Sequence, residues 1–110
     1  MPVSEEYLDY LRDLLNWLPQ LRIKRMFGGA GLYSDDIFFA IADDGELYLK
    51  ADKESVAFYR KGGSEQFTYE TKGKLSRMNY WSVPAEVIEE PDELRRWVGI
   101  ALDTALRAKK

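Results

Sequence analysis

Three glycines within four positions interrupt the run Arg25-Met26-Phe27-Gly28-Gly29-Ala30-Gly31-Leu32-Tyr33, which otherwise reads as extended chain on both sides. Glycine reaches positive φ at no steric cost and lets a second backbone come close. The cluster therefore marks a bulge or a tight strand junction, and it commits this part of the chain to a sheet. Phosphate-cradling loops offer a competing reading, since they aim glycine amides and a helix N-terminus at an anion. Here the glycines lead into Leu32-Tyr33, a strand, and no Lys-Ser/Thr pair follows. The junction reading is preferred.

The segments around this junction have clear periodicities. A first helix is expected from about Ser4 to Leu18, with Ser4 as N-cap, Glu5 and Glu6 at the positive end of its dipole, and Pro19 ending it. Tyr7, Leu11, Leu14, Leu15 and Leu18 form its buried stripe. Leu21 to Phe27 reads as a strand, and closely spaced strands follow. If Asp35-Asp36 is a two-residue turn, Leu32 lies opposite Phe39 and Tyr33 opposite Phe38. If Asp43-Asp44-Gly45 is a three-residue loop, Ile41 faces Leu47 and Phe39 faces Leu49. One face then collects Leu32, Ile37, Phe39, Ile41, Leu47 and Leu49, and the other Tyr33, Phe38, Ala40 and Tyr48.

Asp52 is placed to cap a short helix through Val56, Phe58 and Tyr59, stopped at Gly62-Gly63. A hairpin follows, Gln66 to Thr71 and Leu75 to Trp81, turning around Lys72-Gly73-Lys74. Pro84 to Ile88 reads as a turn of helix. Pro91 opens the last helix, where Leu94, Trp97, Val98, Ala101, Leu102 and Ala105 fit one face. The expected fold is α+β, a two-layer sandwich of order α-β-β-β-α-β-β-α, with a five-stranded antiparallel sheet and helices on one face. No repeat, low-complexity segment or linker breaks the chain, so residues 1–110 are expected to form a single domain.

The absences constrain chemistry. The 110 residues contain no cysteine and no histidine. Disulfides, thiolate nucleophiles, Cys/His zinc sites and Ser-His-Asp or Cys-His catalysis are all excluded. No catalytic residue, metal ligand or cofactor site is identified. The formal net charge of −3 argues against a dedicated nucleic-acid binder, because phosphate neutralisation supplies most of such affinity. The basic clusters Arg22, Lys24, Arg25 and Lys72, Lys74, Arg77 read as solvated strand faces. Asp35-Asp36 and Asp43-Asp44 read as turn residues rather than ligands, and the acidic run Glu86 to Glu93 as dipole complement before the last helix. No apolar run reaches the ~20 residues of a membrane span, and no secretory signal opens the chain, so a cytoplasmic location is expected.

Met78-Asn79-Tyr80-Trp81 and Val83-Pro84, taken with Arg25 to Gly29, Gly31 to Tyr33, Phe39-Ala40, Leu47 to Lys50 and Phe67-Thr68-Tyr69, carry a family resemblance. The chain resembles the TfoX/Sxy family's N-terminal domain, standing alone, over nearly its whole length. The resemblance implies a two-layer α+β fold like that of secretion chaperones, and kinship with regulators of natural competence that act alongside the cyclic-AMP receptor protein at promoters. Arg25, Met26, Phe27, Gly28, Gly29, Tyr80 and Trp81 are the motif residues it singles out. It supplies no catalytic residues.

A non-enzymatic regulatory or interaction module acting through protein contacts is the expected function, with transcriptional proteins among the candidate partners. The alternative is a small-molecule-binding domain or cryptic enzyme using the groove near Gly28-Gly29, with Arg25 supplying charge and Tyr80 a polar tip. Tyr33, Phe38 and Tyr48 are expected to lie side by side on the uncovered sheet face. They are the candidate interface of a homodimer, since clustered exposed aromatics are favoured anchors.

Overall fold

A computed structural model of the chain describes residues 3–26 and 28–109. Helix α1 (Glu5–Leu14) starts where Ser4 accepts a hydrogen bond from the Tyr7 amide at 3.1 Å. It ends earlier than the periodicity predicts. The Trp17 indole donates to the Leu14 carbonyl at 3.1 Å, and Pro19 disfavours helical backbone at the residue before it. Leu15 and Leu18 are buried all the same, and Leu8 joins them where the predicted stripe had Tyr7 and Leu14.

Six strands follow, not five: β1 (Leu21–Met26), β2 (Gly29–Ser34), β3 (Ile37–Asp43), β4 (Glu46–Lys50), β5 (Gln66–Thr71) and β6 (Lys74–Ser82). The difference lies at the glycines, where the chain reverses across Gly28 so that residues 21–26 and 29–34 pair as separate strands. All pairings are antiparallel and the spatial order is β1-β2-β3-β4-β6-β5. Helices α2 (Val56–Lys61), α3 (Ala85–Ile88) and α4 (Pro91–Ala108) complete the chain.

Three hairpins turn on two residues with positive φ: Asp35-Asp36 at 50° and 63°, Asp44-Gly45 at 46° and 78°, and Lys72-Gly73 at 50° and 76°. This is the backbone of type I′ turns, whose twist matches that of the strands they join. The Asp43-Asp44-Gly45 loop is therefore one residue shorter than expected, and Ala42, not Ile41, lies opposite Leu47.

A second departure compensates for the first. Tyr33 pairs with Phe38 as expected, but Leu32 pairs with Ala40. Phe39 is the extra residue of a β-bulge, and both Phe39 and Ala40 turn into the core at 0% exposure. The added residue flips Ala40 inward and Ile41 outward, and the shortened loop flips the faces back, so Leu47 and Leu49 still point inward.

The helix-facing side of the sheet contributes Leu32, Phe39, Ala40, Ala42, Leu47, Leu49 and Trp81 to the main core. Helix α4 buries Leu94, Trp97, Val98, Ala101 and Ala105 against it, and Phe58 and Tyr59 of α2 pack on Trp97 with ring centroids 5.0 and 5.5 Å away. No helix among the described residues is long and apolar enough to cross a membrane.

Candidate functional site

The outer sheet face carries the candidate interface residues and a cluster of aromatic side chains around them. Ile41, Phe67 and Tyr80 form a second buried cluster there, with Phe38, Tyr48 and Met78 packed against it. Tyr33 stacks on Phe38 with centroids 5.0 Å apart, Phe38 tilts against Tyr80 at 5.9 Å, and Tyr48 packs on Phe67 at 4.8 Å. The three candidate interface residues are half-buried. They are not one contiguous trio. Tyr33 and Phe38 form one pair, Tyr48 turns to Phe67, and Tyr80 contacts the first pair from β6.

Strand β6 shapes the rest. Only residues 80–82 pair with β4, so the distal part of the β5–β6 hairpin extends beyond the neighbouring strand. Phe67, Tyr69, Glu70 and Met78 from this hairpin share a groove of about 610 Å³ with Met26, Gly29, Phe38, Ile41 and Asp43. Strands β1 and β5 are the two ends of the sheet, so residues from both lining one groove mean that the sheet curls around its outer face.

The motif glycines acquire distinct tasks. Gly28 turns the chain with φ of +82°, which other residues rarely adopt. Gly29 admits the β3 backbone, since a Cβ there would sit 2.7 Å from the Ala42 carbonyl oxygen. Gly31 leaves the space that Met26 and Phe38 fill: its Cβ would meet the Met26 Cε at 2.7 Å.

Other motif residues lie elsewhere. Arg25 does not line the groove. Its guanidinium donates to the Glu5 carboxylate at 3.0 Å and the Val3 carbonyl at 2.9 Å, tying β1 to the start of α1. Tyr80 and Trp81 point to opposite faces, as neighbours on a strand must. Tyr80 enters the outer cluster and Trp81 the main core, where its indole donates to Asn79 at 2.9 Å. Phe27 lies outside the described residues.

Burial sets the electrostatics. It pushes the Tyr80 phenol up to about 12, with Tyr33 adding to the effect. The Tyr48 phenol rises for the same reason, helped by Glu46. Loss of hydration also raises the Asp43 carboxyl above the usual aspartate range. No group of three metal-ligating side chains occurs among the described residues. Sequence reasoning did not single out Phe67, Tyr69 and Met78 for this groove. Their signal was the alternation Phe67/Tyr69 and Met78/Tyr80, which puts each pair on one strand face.

Residues 13–105 match the family described as the TfoX N-terminal domain. The chain is 32% identical over 98 residues to Protein Sxy of Escherichia coli (strain K12), covering 89% of this chain and 47% of that protein. It is 30% identical over 103 residues to the DNA transformation protein TfoX1 of Aliivibrio fischeri (strain ATCC 700601 / ES114), covering 94% of this chain and 47% of that protein. The chain thus spans about half the length of the curated relatives it matches.

Proposed function

The chain belongs to the TfoX N-terminal domain family, and from that premise we propose a cytoplasmic regulatory module that works through protein contacts rather than catalysis. One relative is named a DNA transformation protein, and the family's kinship with competence regulators makes transcriptional proteins the proposed partners. The outer sheet face carries this reading. It presents half-buried aromatic side chains in a cluster that, among the described residues, is built from strands alone, which suits a surface that meets another protein. The experiment is affinity purification of the tagged chain from its source cell under several growth conditions. Specific partners are expected, and Tyr33→Lys should release them; recovery of none, or retention of all by the variant, overturns the reading.

A small-molecule site in the groove beside Gly29 is the second reading. Its volume of about 610 Å³ and largely apolar walls favour it, because ligand pockets commonly fall in that size range.

A further inference from the structure

We infer that β5 takes up an extended segment of a partner protein as an added antiparallel strand, whose alternate apolar side chains enter the groove beside Gly29. This rests on the protein-contact reading above and adds to it the form of the partner. Strands β1 and β5 are the two edges of the sheet, and they differ in kind. Strand β1 carries Arg22, Lys24 and Arg25 among its six residues, and charge along an edge discourages further pairing. Strand β5 reads Gln66-Phe67-Thr68-Tyr69-Glu70-Thr71, with one charge and no proline. Apart from its hairpin partner β6, no element packs extensively on it, and Thr68, Tyr69 and Glu70 are exposed in succession.

The open edge has defined donors and acceptors. The Glu65 carbonyl accepts from the Ser82 amide at 2.9 Å, so Glu65 directs its main chain to β6. Main-chain groups alternate in direction along an antiparallel strand, so those of Gln66, Thr68 and Glu70 point to the open side. The two-residue turn at Lys72-Gly73 gives the same parity, since it makes Thr71 and Lys74 the closing pair.

Side chains on the two faces set the pattern of the segment. Phe67 and Tyr69 line the groove of about 610 Å³ with Met26, Ile41 and Met78. An added strand continues this face and projects every second side chain over apolar walls. Glu70 lies on the other face, opposite Leu75, while Tyr69 lies opposite Ser76. Among the described residues it enters no ion pair, Arg77 opposite Thr68 included. A cation at the facing position of the segment would meet it across the strands. The segment is therefore basic on one face and apolar on the other. A second copy of this chain fits less well, because its own Phe67 is already buried in its own outer cluster. A small molecule would fill the groove and leave the edge unpaired.

The probes are capped heptapeptides Thr-X-Lys-X-Lys-X-Thr, with X leucine, isoleucine, valine or methionine, titrated calorimetrically into the whole chain. Methyl-¹³C methionine spectra read location, since Met26 and Met78 are two of only three methionines. The tightest heptapeptide should shift both groove methyls, and alanine at every X should weaken it about tenfold or more. N-methylation of its lysine amides, which face β5, should abolish binding, and N-methylation at the X amides should not. Thr68→Pro removes an amide hydrogen that points away from β6, a change edge strands tolerate. It should abolish binding at nearly the parent's unfolding midpoint, whereas Thr68→Val should still bind. Equal effects of the two methylations, unmoved methyls, or no heptapeptide bound overturns strand addition. So does a parent dimer that Thr68→Pro converts to a monomer, which would give the edge to a second copy. In affinity purification, partners released by Tyr33→Lys but retained by Thr68→Pro would end strand addition and leave the protein-contact reading standing.

Discussion

Asp52 links elements that lie far apart in the sequence. Its carboxylate accepts from the Glu54 and Ser55 amides at 3.0 Å, closing the turn that leads into α2. It also accepts from the Arg107 guanidinium at 3.0 and 3.1 Å, near the end of α4. Beneath this pair Thr104 donates to Ser55 at 3.0 Å, with both side chains buried. The Arg107 bonds, then those from Ser55, outweigh desolvation and hold the Asp52 carboxyl down at about 2. A lowered folded-state value stabilises above the unfolded value, and the gain is lost as pH falls through the folded one. Solvent screens this half-open pair, so its worth is about 1 kcal/mol. Asp52→Asn should cost that much in urea unfolding at pH 7, and the difference should shrink as pH drops from about 4 towards 2. A penalty independent of pH would show that the charge pair contributes nothing.

Pairing of β2 with β3 depends on close approach at one glycine. A Cβ at Gly29 would meet a main-chain carbonyl oxygen, which cannot yield without moving the strand, whereas at Gly31 it would meet the mobile end of Met26. Gly29→Ala should therefore destabilise by about 1–3 kcal/mol, the usual cost of overpacking, and Gly31→Ala by less. Equal unfolding midpoints for the two variants would refute this account of the glycine motif. The bulge at Phe39 belongs to the same pair of strands. It places two consecutive residues in the core, and it turns Ile41 towards the groove.

For the molecule as a whole, the expectation of a dimer rests on the outer face. Tyr33, Phe38 and Tyr48 remain half-buried after the sheet has curled, and this patch shares Phe38 alone with the groove. Aromatic anchors bury much area for little lost rotamer freedom. A homodimer through this patch is expected in sedimentation at high concentration, and Tyr48→Glu should return it to a monomer. Tyr48 also packs on Phe67, so Tyr33→Lys, at a more peripheral ring, should do the same in a chain that stays folded. A monomeric parent, or a mass unchanged in both variants, would falsify the homodimer.

Local features determined much of this protein. Helix α4 and its buried face follow from 3.6-residue spacing, the turns from aspartate and glycine, and the inward Leu47 and Leu49 from alternation, because each depends on neighbours a few residues away. The lack of histidine and cysteine bounded the chemistry before any fold was known. Tertiary structure alone decided the bulge at Phe39, since an extra residue in one strand shows only in how that strand pairs with its neighbour. It decided the partner of Arg25, which reaches back to Glu5 and Val3 rather than into the groove. It also made the groove itself. Met26 and Phe67 sit on strands at opposite ends of the sheet, and only the accumulated twist and curl of the strands between them brings the two side chains to one space.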